Sequence, residues 1–405
     1  MERLGCPTLT VLALFGGGGT ADVLWGDGST DPSILLMRVL IRQSRGRWAL
    51  VAAGTAFLCG LPALLGAWPV PVSGLSAGQL RARILASAAV PYQGYAESSA
   101  GLGLPSLPDV GDVTALLDGT THQYAWYRSA TQWRADMLTT AGENDTYQAG
   151  ALGTFDWTYT TDTLTQIFGS QPVRLPRAAD LLPPALAQRL VSYAGPGTRL
   201  ATLPTARIAG IDAAGLRLTP AGRTSTISAV DVWADPGSGL PVKVEVFGRL
   251  AAAPVLVSRF LDVSLTRPDV ATVRPGFGPE VGYARVGEPD VTRVLRGFGP
   301  PLPASLGGAS RVPGPPGVPG IAAYGSGFAR FAVIPLPGRT GLSVLQAATS
   351  AGISVQLGSV PAVVIQTPLL TVLVAHPVAA PVYLLTGTVT PAVLERAAGQ
   401  LPEYP

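Results

Sequence analysis

The chain is poor in the residues that most chemistry needs. It has two cysteines, Cys6 and Cys59, in 405 residues, and both precede residue 73. The rest has no thiol to oxidise or to bind metal, so its stability must come from an ordinary core. There are two histidines, His122 and His376, far apart and without metal-like spacing to acidic neighbours. That spacing gives no histidine metal site and no catalytic triad, and each reads as a structural histidine. Lys243 is the only lysine, so nearly every cation is arginine, a bias given no mechanistic weight. Charged residues make up 13% of the chain, too few for a helix-rich protein, while 49 glycines and 38 prolines favour strands and turns. No Walker loop, no G-x-S-x-G elbow and no basic stripe with interleaved aromatics occurs, so nucleotide hydrolysis, serine-esterase chemistry and nucleic-acid binding are not expected. No cofactor and no metal is expected.

One long apolar run is present. Trp48–Val72 carries no charge, with Arg38, Arg42, Arg45 and Arg47 before it and no charge after it until Arg81. A mid-bilayer charge costs about 2.5–3.5 kcal/mol on insertion scales, so a charge-free run with arginines on one side reads as a segment entering a membrane from the cytoplasm. It is either a retained anchor or a cleaved signal. Pro62 would kink a spanning helix, Ala49–Cys59 has the length of a signal core, and lipidation of Cys59 is a third reading. The compact basic-then-apolar pattern begins at Met37, so translation is expected to start near there. Everything from about residue 73 is then extracytoplasmic.

The expected organisation is an N-terminal extension (1–47), the signal or anchor (48–72), a first domain (73–270), a Pro/Gly-rich linker (271–319) and a small second domain (320–405). Leu75–Ala89 has helical spacing, with Leu80, Ile84, Leu85 and Ala88 on one face. Gly101–Asp112 reads as a loop. Short aromatic strands follow at Tyr92–Ser99, His122–Arg128, Gln132–Thr139, Asp145–Gln148, Phe155–Tyr159 and Thr163–Phe168, the pattern of an antiparallel meander. Pro176, Pro183 and Pro184 punctuate a short helical cover, with Leu182, Leu186 and Leu190 on one edge. Strands are expected again at Thr205–Ile211 and Gly215–Thr219. The clearest hairpin is Ser228–Ala234 and Leu240–Phe247 around Asp235-Pro236-Gly237-Ser238-Gly239, where proline fixes φ and glycine supplies φ > 0. Val255–Leu265 closes the run. In the second domain, strands are expected at Phe328–Leu336, Ser354–Leu357, Ala362–Gln366, Leu369–Ala375 and Val382–Gly387. A helix is expected at Gly341–Ser350. A last helix, Pro391–Leu401, has Thr390 as N-cap and Pro391 at its first position.

A curved meander with helices on one face leaves a concave interior, filled by side chains or by a lipid-like ligand. Candidate liners are Tyr124, Trp126, Trp133, Trp157, Tyr159 and Trp233, which serve equally as plain core. Arg174 and Arg177 are candidates for an anionic head group, or for an ion pair with Asp180 that holds the cover. Asp136, Glu143 and Asp145 invite a catalytic or calcium reading, but Glu143 and Asp145 fall in a turn, where solvated acids are expected instead.

Several of these segments resemble the MucB/RseB family. The resemblance lies in Tyr92-Gln93-Gly94, the hairpin Tyr124–Asp136, and Val230–Asp235 running into Gly239-Leu240-Pro241. In the second domain it lies in Tyr324–Val333 and Leu384–Ala398. It covers about 73–265 and 300–402. It implies an α+β fold: a large curved antiparallel sheet, the half-open β-barrel of LolA-like lipoprotein carriers, covered by helices, plus a small C-terminal α/β domain. It also implies a non-enzymatic role, sensing lipidic envelope material such as a lipid or acylated peptide and restraining an anti-sigma factor from proteolysis. A carrier beside an ABC transporter and a structural envelope module with a filled core are the alternatives.

Overall fold

The computed structural model describes residues 49–57, 70–103, 111–169, 174–276, 278, 280–288, 301–313, 320–378 and 380–401. The chain divides into two units, 1–69 and 70–405. Of the first, only a helical stretch at 49–57 is described. Met37, the four flanking arginines and most of the apolar run lie outside the described residues. Among those described, no helix is long and apolar enough to cross a membrane.

The second unit begins with helix α1 (Ala77–Ala86). Ser76 caps it in a reciprocal box: Gln79 N–H donates to Ser76 Oγ, and Ser76 N–H donates to Gln79 Oε1 at 2.9 Å. Leu80 and Ile84, four apart on one face, are buried. A short 3₁₀ turn, Ser87–Ala89, leads into the strands.

Twelve strands form one open sheet. They are β1 (Tyr92–Ala100), β2 (Thr120–Ser129), β3 (Gln132–Thr139), β4 (Gly142–Ala149), β5 (Thr154–Thr158), β6 (Thr163–Phe168), β7 (Arg199–Ile208), β8 (Ile211–Thr219), β9 (Ile227–Ala234), β10 (Pro241–Gly248), β11 (Pro254–Ser264) and β12 (Gly282–Gly287). Their order is β12-β6-β5-β4-β3-β2-β1-β11-β10-β9-β8-β7. Two meanders, β1–β6 and β7–β11, thus join through an antiparallel β1–β11 pair. The pairing is antiparallel throughout except β12, which runs parallel to β6. Two helices also fall between strands: α2 (Gly111–Leu117), which begins at the end of the stretch expected as a loop, and α3 (Pro183–Ser192).

Strand alternation sorts the sheet into two faces. On the inner face Leu216, Leu218, Val230, Val232, Val244 and Val246 pack against Leu80 and Ile84 of α1 and Leu186, Ala187 and Val191 of α3. Each leucine, isoleucine and valine among them contributes about 1.5–3 kcal/mol by burial. The β7–β10 half is filled in this way. In the β1–β5 half the inner face carries Ala96, Ala125 and Ala135, whose short side chains fill less of the space. The β9–β10 turn closes as its sequence requires. Asp235 Oδ2 accepts from Ser238 N–H at 2.7 Å, and Gly239 sits at φ 77°. A Cβ there would collide with the Arg83 carbonyl oxygen of α1.

The second sheet has eight strands: β13 (Ser305–Leu306), β14 (Ala309–Val312), β15 (Ala322–Ser326), β16 (Ala329–Leu336), β17 (Ile353–Leu357), β18 (Val360–Gln366), β19 (Thr371–Ala375) and β20 (Val382–Gly387). Their order is β13-β14-β15-β16-β20-β19-β18-β17. Helix α5 (Pro391–Ala398) packs Val393, Leu394 and Ala397 on the face of Leu373, Tyr383 and Leu385. Helix α4 (Gly338–Ala351) covers the other face, beside Val363, Val374 and Val382. Thr390 is the N-cap of α5, and its N–H donates to Thr224 O at 2.8 Å.

The Pro/Gly-rich stretch supplies strands to both sheets, β12 to the first and β13 and β14 to the second. The sheets also share a seam. Phe328, at the β15–β16 turn, lies in the core under the first sheet. Its carbonyl accepts from Ser225 Oγ at 3.0 Å and Thr388 Oγ1 at 2.7 Å, and Thr226 N–H donates to Thr388 O.

Candidate functional site

The segment 174–182 crosses the inner face of the β1–β5 half as a cover. Pro176 keeps its start out of a ladder. The 3₁₀ turn Ala178–Leu181 follows, and Pro183 and Pro184 begin α3 at the positions where a missing N–H is tolerated. Two buried polar groups of the sheet fasten the cover. Gln123 Nε2 donates to Ala178 O at 3.1 Å, and Ser258 Oγ donates to Leu181 O at 2.5 Å.

Two pockets flank this cover. The first, about 250 Å³, is walled by Tyr92, Trp126, Tyr127, Trp133, Leu182 and Ala185, with Arg134, Arg174, Arg177 and Asp180 also bordering it. Tyr92 and Tyr127 stack at 5.1 Å, and Tyr127 Oη donates to Ala88 O. Burial raises the phenol of Tyr92 far above its ordinary value. The second pocket, about 290 Å³, is bordered by Leu116, Met137, Asn144, Asp145, Thr146, Asp156, Trp157 and Thr158. Arg177 and Ala179 border both.

The arginines of the cover are matched within the protein. Arg174 grips Asp180 with two bonds of 2.7 Å, and Arg177 Nη2 reaches both oxygens of Glu288, just past β12, at 3.2 and 3.3 Å. Burial pushes the Asp180 carboxyl up, but the bonds from Arg174 and from the Arg177 backbone N–H outweigh it and hold it low. Asp156 is shifted the other way. Burial raises it most, Glu288 adds, and Thr146 and Arg177 oppose.

The opposite face carries a second polar cluster. Arg134 donates to Asp136 at 2.6 Å and to Asp145 at 2.8 Å. Its guanidinium stacks over Trp126 and Tyr147 at 5.1 and 4.9 Å. Asp136 and Asp145 are direct cross-strand partners, both buried. The expectation of a solvated turn acid is therefore corrected for Asp145, because β4 begins at Gly142 and sets it inside the ladder. Burial pushes Asp136 up to about 7 against the pull of Arg134, with Asp145 and Glu143 adding to the rise. The carboxylates of Asp136, Glu143 and Asp145 lie within 4.8 Å of one another, but Arg134 already engages two of them.

Of the expected liners, Trp126 and Trp133 border the first pocket and Trp157 the second. Tyr124 and Tyr159 border neither and are solvent-exposed. Trp233 alternates with buried Val232 and Ala234, so it stands on the other face, where Lys243 lies over its ring. Sequence reading missed Gln123, Ser258, Thr146, Asp156 and Glu288. The only available signal was a polar residue recurring at an inward strand position.

No family model matches the chain, and no curated protein matches it. Solved structures do. MucB in complex with MucA(peri) is 16% identical, with 81% of this chain and 100% of that chain covered and a TM-score of 0.45. The MucA/MucB complex of Pseudomonas aeruginosa is 16% identical, with 81% and 99% covered and a TM-score of 0.46. A LolA superfamily protein from Nitrosomonas europaea is 13% identical, with 50% and 99% covered and a TM-score of 0.23. This chain is similar to the MucB and LolA-superfamily proteins that the sequence resemblance anticipated.

Proposed function

We propose that this chain is a non-enzymatic, extracytoplasmic protein that binds a lipid or acylated peptide beneath its cover and regulates a membrane-bound partner. The observation that carries the reading is the first pocket. It is an aromatic-walled recess between the inner face of an open sheet and a short segment fastened to that face by two side-chain hydrogen bonds and one ion pair to Glu288. Small-ligand clefts span about 300–1,000 Å³, and the two recesses, about 250 and 290 Å³, fall just under that range, so each suits one acyl chain rather than a folded domain or a bulky diacyl lipid. An anti-sigma factor is the partner class for which the sequence resemblance speaks. The packed β7–β10 half supplies a rigid support, and the β1–β5 half supplies the adaptable recess.

The test is uptake of a fluorescent fatty acid by the full chain. Saturable binding is expected, and Ala185→Trp is expected to reduce it at least tenfold. Ala185 borders the recess from an exposed position of α3, so the indole fills the recess without disturbing the core. No saturable uptake, or uptake indifferent to A185W, would sink the reading.

A further inference from the structure

The two pockets differ in chemistry. The first is aromatic. The wall of the second carries acceptors: Asn144, Thr146, Thr158 and the carboxyl of Asp156. Asp156 Oδ1 is buried and has no hydrogen-bond partner among the described residues, while Thr146 donates a hydrogen bond to the same carboxyl. A buried acceptor left without a donor costs about 1–3 kcal/mol, more when charged. The nearby cation, Arg177, places its guanidinium on Glu288 and acts on Asp156 only through space. Asp156 is thus a buried acceptor with no direct cationic partner, and an anionic group entering the chamber would meet its carboxyl.

From this we infer that the second pocket is a subsite for a primary ammonium group. The ligand is then a cationic or zwitterionic amphiphile, with its chain in the aromatic recess and its ammonium at Asp156. The inference rests on the acyl-binding reading above and names the head group it selects. An ammonium brings three N–H donors on one small centre, which matches a carboxylate flanked by hydroxyl and amide oxygens. A hard divalent cation fits less well, since calcium takes 6–8 oxygen ligands and Asp156 is one carboxylate among neutral groups. Arg177 and Ala179 border both pockets, so chain and head group need span only the width of the cover.

The experiment titrates the full chain with decylamine, decanol and decyl phosphate at pH 7.5 by calorimetry. Decylamine is expected to bind at least tenfold tighter than decanol, and decyl phosphate weaker than either. On Asp156→Asn, decylamine is expected to fall to within threefold of decanol measured on the same variant. Decyl phosphate binding as tightly as decylamine, or an amine preference surviving in D156N, overturns the inference. Decanol binding without an amine advantage overturns it while sparing the acyl recess; no binding of any of the three overturns both. If the preference holds, lysophosphatidylethanolamine and an acylated peptide with a free amino terminus separate the two sources of an ammonium.

Discussion

Arg134 is the one cation between two buried carboxylates, and its removal gives a sharp test of the electrostatics. Arg134→Ala leaves Asp136 and Asp145, at 3% and 2% exposure, facing each other across β3 and β4. Removing one partner of a buried ion pair costs about 3–5 kcal/mol, because the charge left behind is uncompensated. Loss of the stacking over Trp126 and Tyr147 adds about 0.5–1 kcal/mol each. Part of the cost is relieved by proton uptake, so a loss of about 4 kcal/mol is expected at pH 8. The sign with pH follows from the raised carboxyl. Asp136 has an ordinary value of 3.8 and sits at about 7 when folded. Between these values the folded state holds a proton that the unfolded state has released, so the group's contribution to stability falls as pH rises. Without Arg134 both carboxyls hold protons to still higher pH. The variant's deficit is therefore larger at pH 8 than at pH 5. Urea unfolding of wild type and variant at both pH values measures it. The triple change R134A/D136N/D145N is expected to recover at least half the loss at pH 8. A deficit below about 1 kcal/mol at pH 8, or a larger one at pH 5, would refute the reasoning.

Three further outcomes are expected. Gly239→Ala forces a side chain into a φ of 77° and against the Arg83 carbonyl, so calorimetry should show a loss on the order of 2 kcal/mol. Phe328→Ala empties the plug at the seam; about 3–5 kcal/mol should be lost, and a single calorimetric transition should split into two. Glu288→Gln removes the counter-charge of Arg177 at the cover, and stopped-flow release of a bound fatty-acid probe should quicken several-fold; an unchanged rate would show that the ion pair does not hold the cover.

Much of the fold is legible in the chain because it rests on local signals. The D-P-G-S-G turn, the alternating valines of β9 and β10 and the Leu80/Ile84 face of α1 each state their structure within a few residues. What was not legible depended on distant partners. Strand β12 is mostly exposed on both faces, so it has no alternation to read, and its parallel mate β6 lies more than a hundred residues away. Helix α2 begins inside a Pro- and Gly-rich stretch that reads as loop. The site was half legible for a related reason. Aromatic residues mark the meander, but a strand sends successive residues to opposite faces, and composition does not say which face is covered. Tyr124 and Gln123 are neighbours, yet the unremarkable glutamine holds the cover and the tyrosine faces solvent.

The seam at Phe328 and the return of β12 have a consequence for how this protein can be divided or recombined. A piece ending near residue 270 would keep every strand of both meanders and still lose three things: the mate of β6, the carboxylate that holds Arg177, and the phenyl ring that completes its interior. The bared β6 would offer an unpaired ladder to other chains. The boundary visible in composition is thus not a line of mechanical separation. Exchange of either half between relatives would have to carry the connecting stretch and the β15–β16 tip with it, so the two halves are constrained to vary as a single inherited piece.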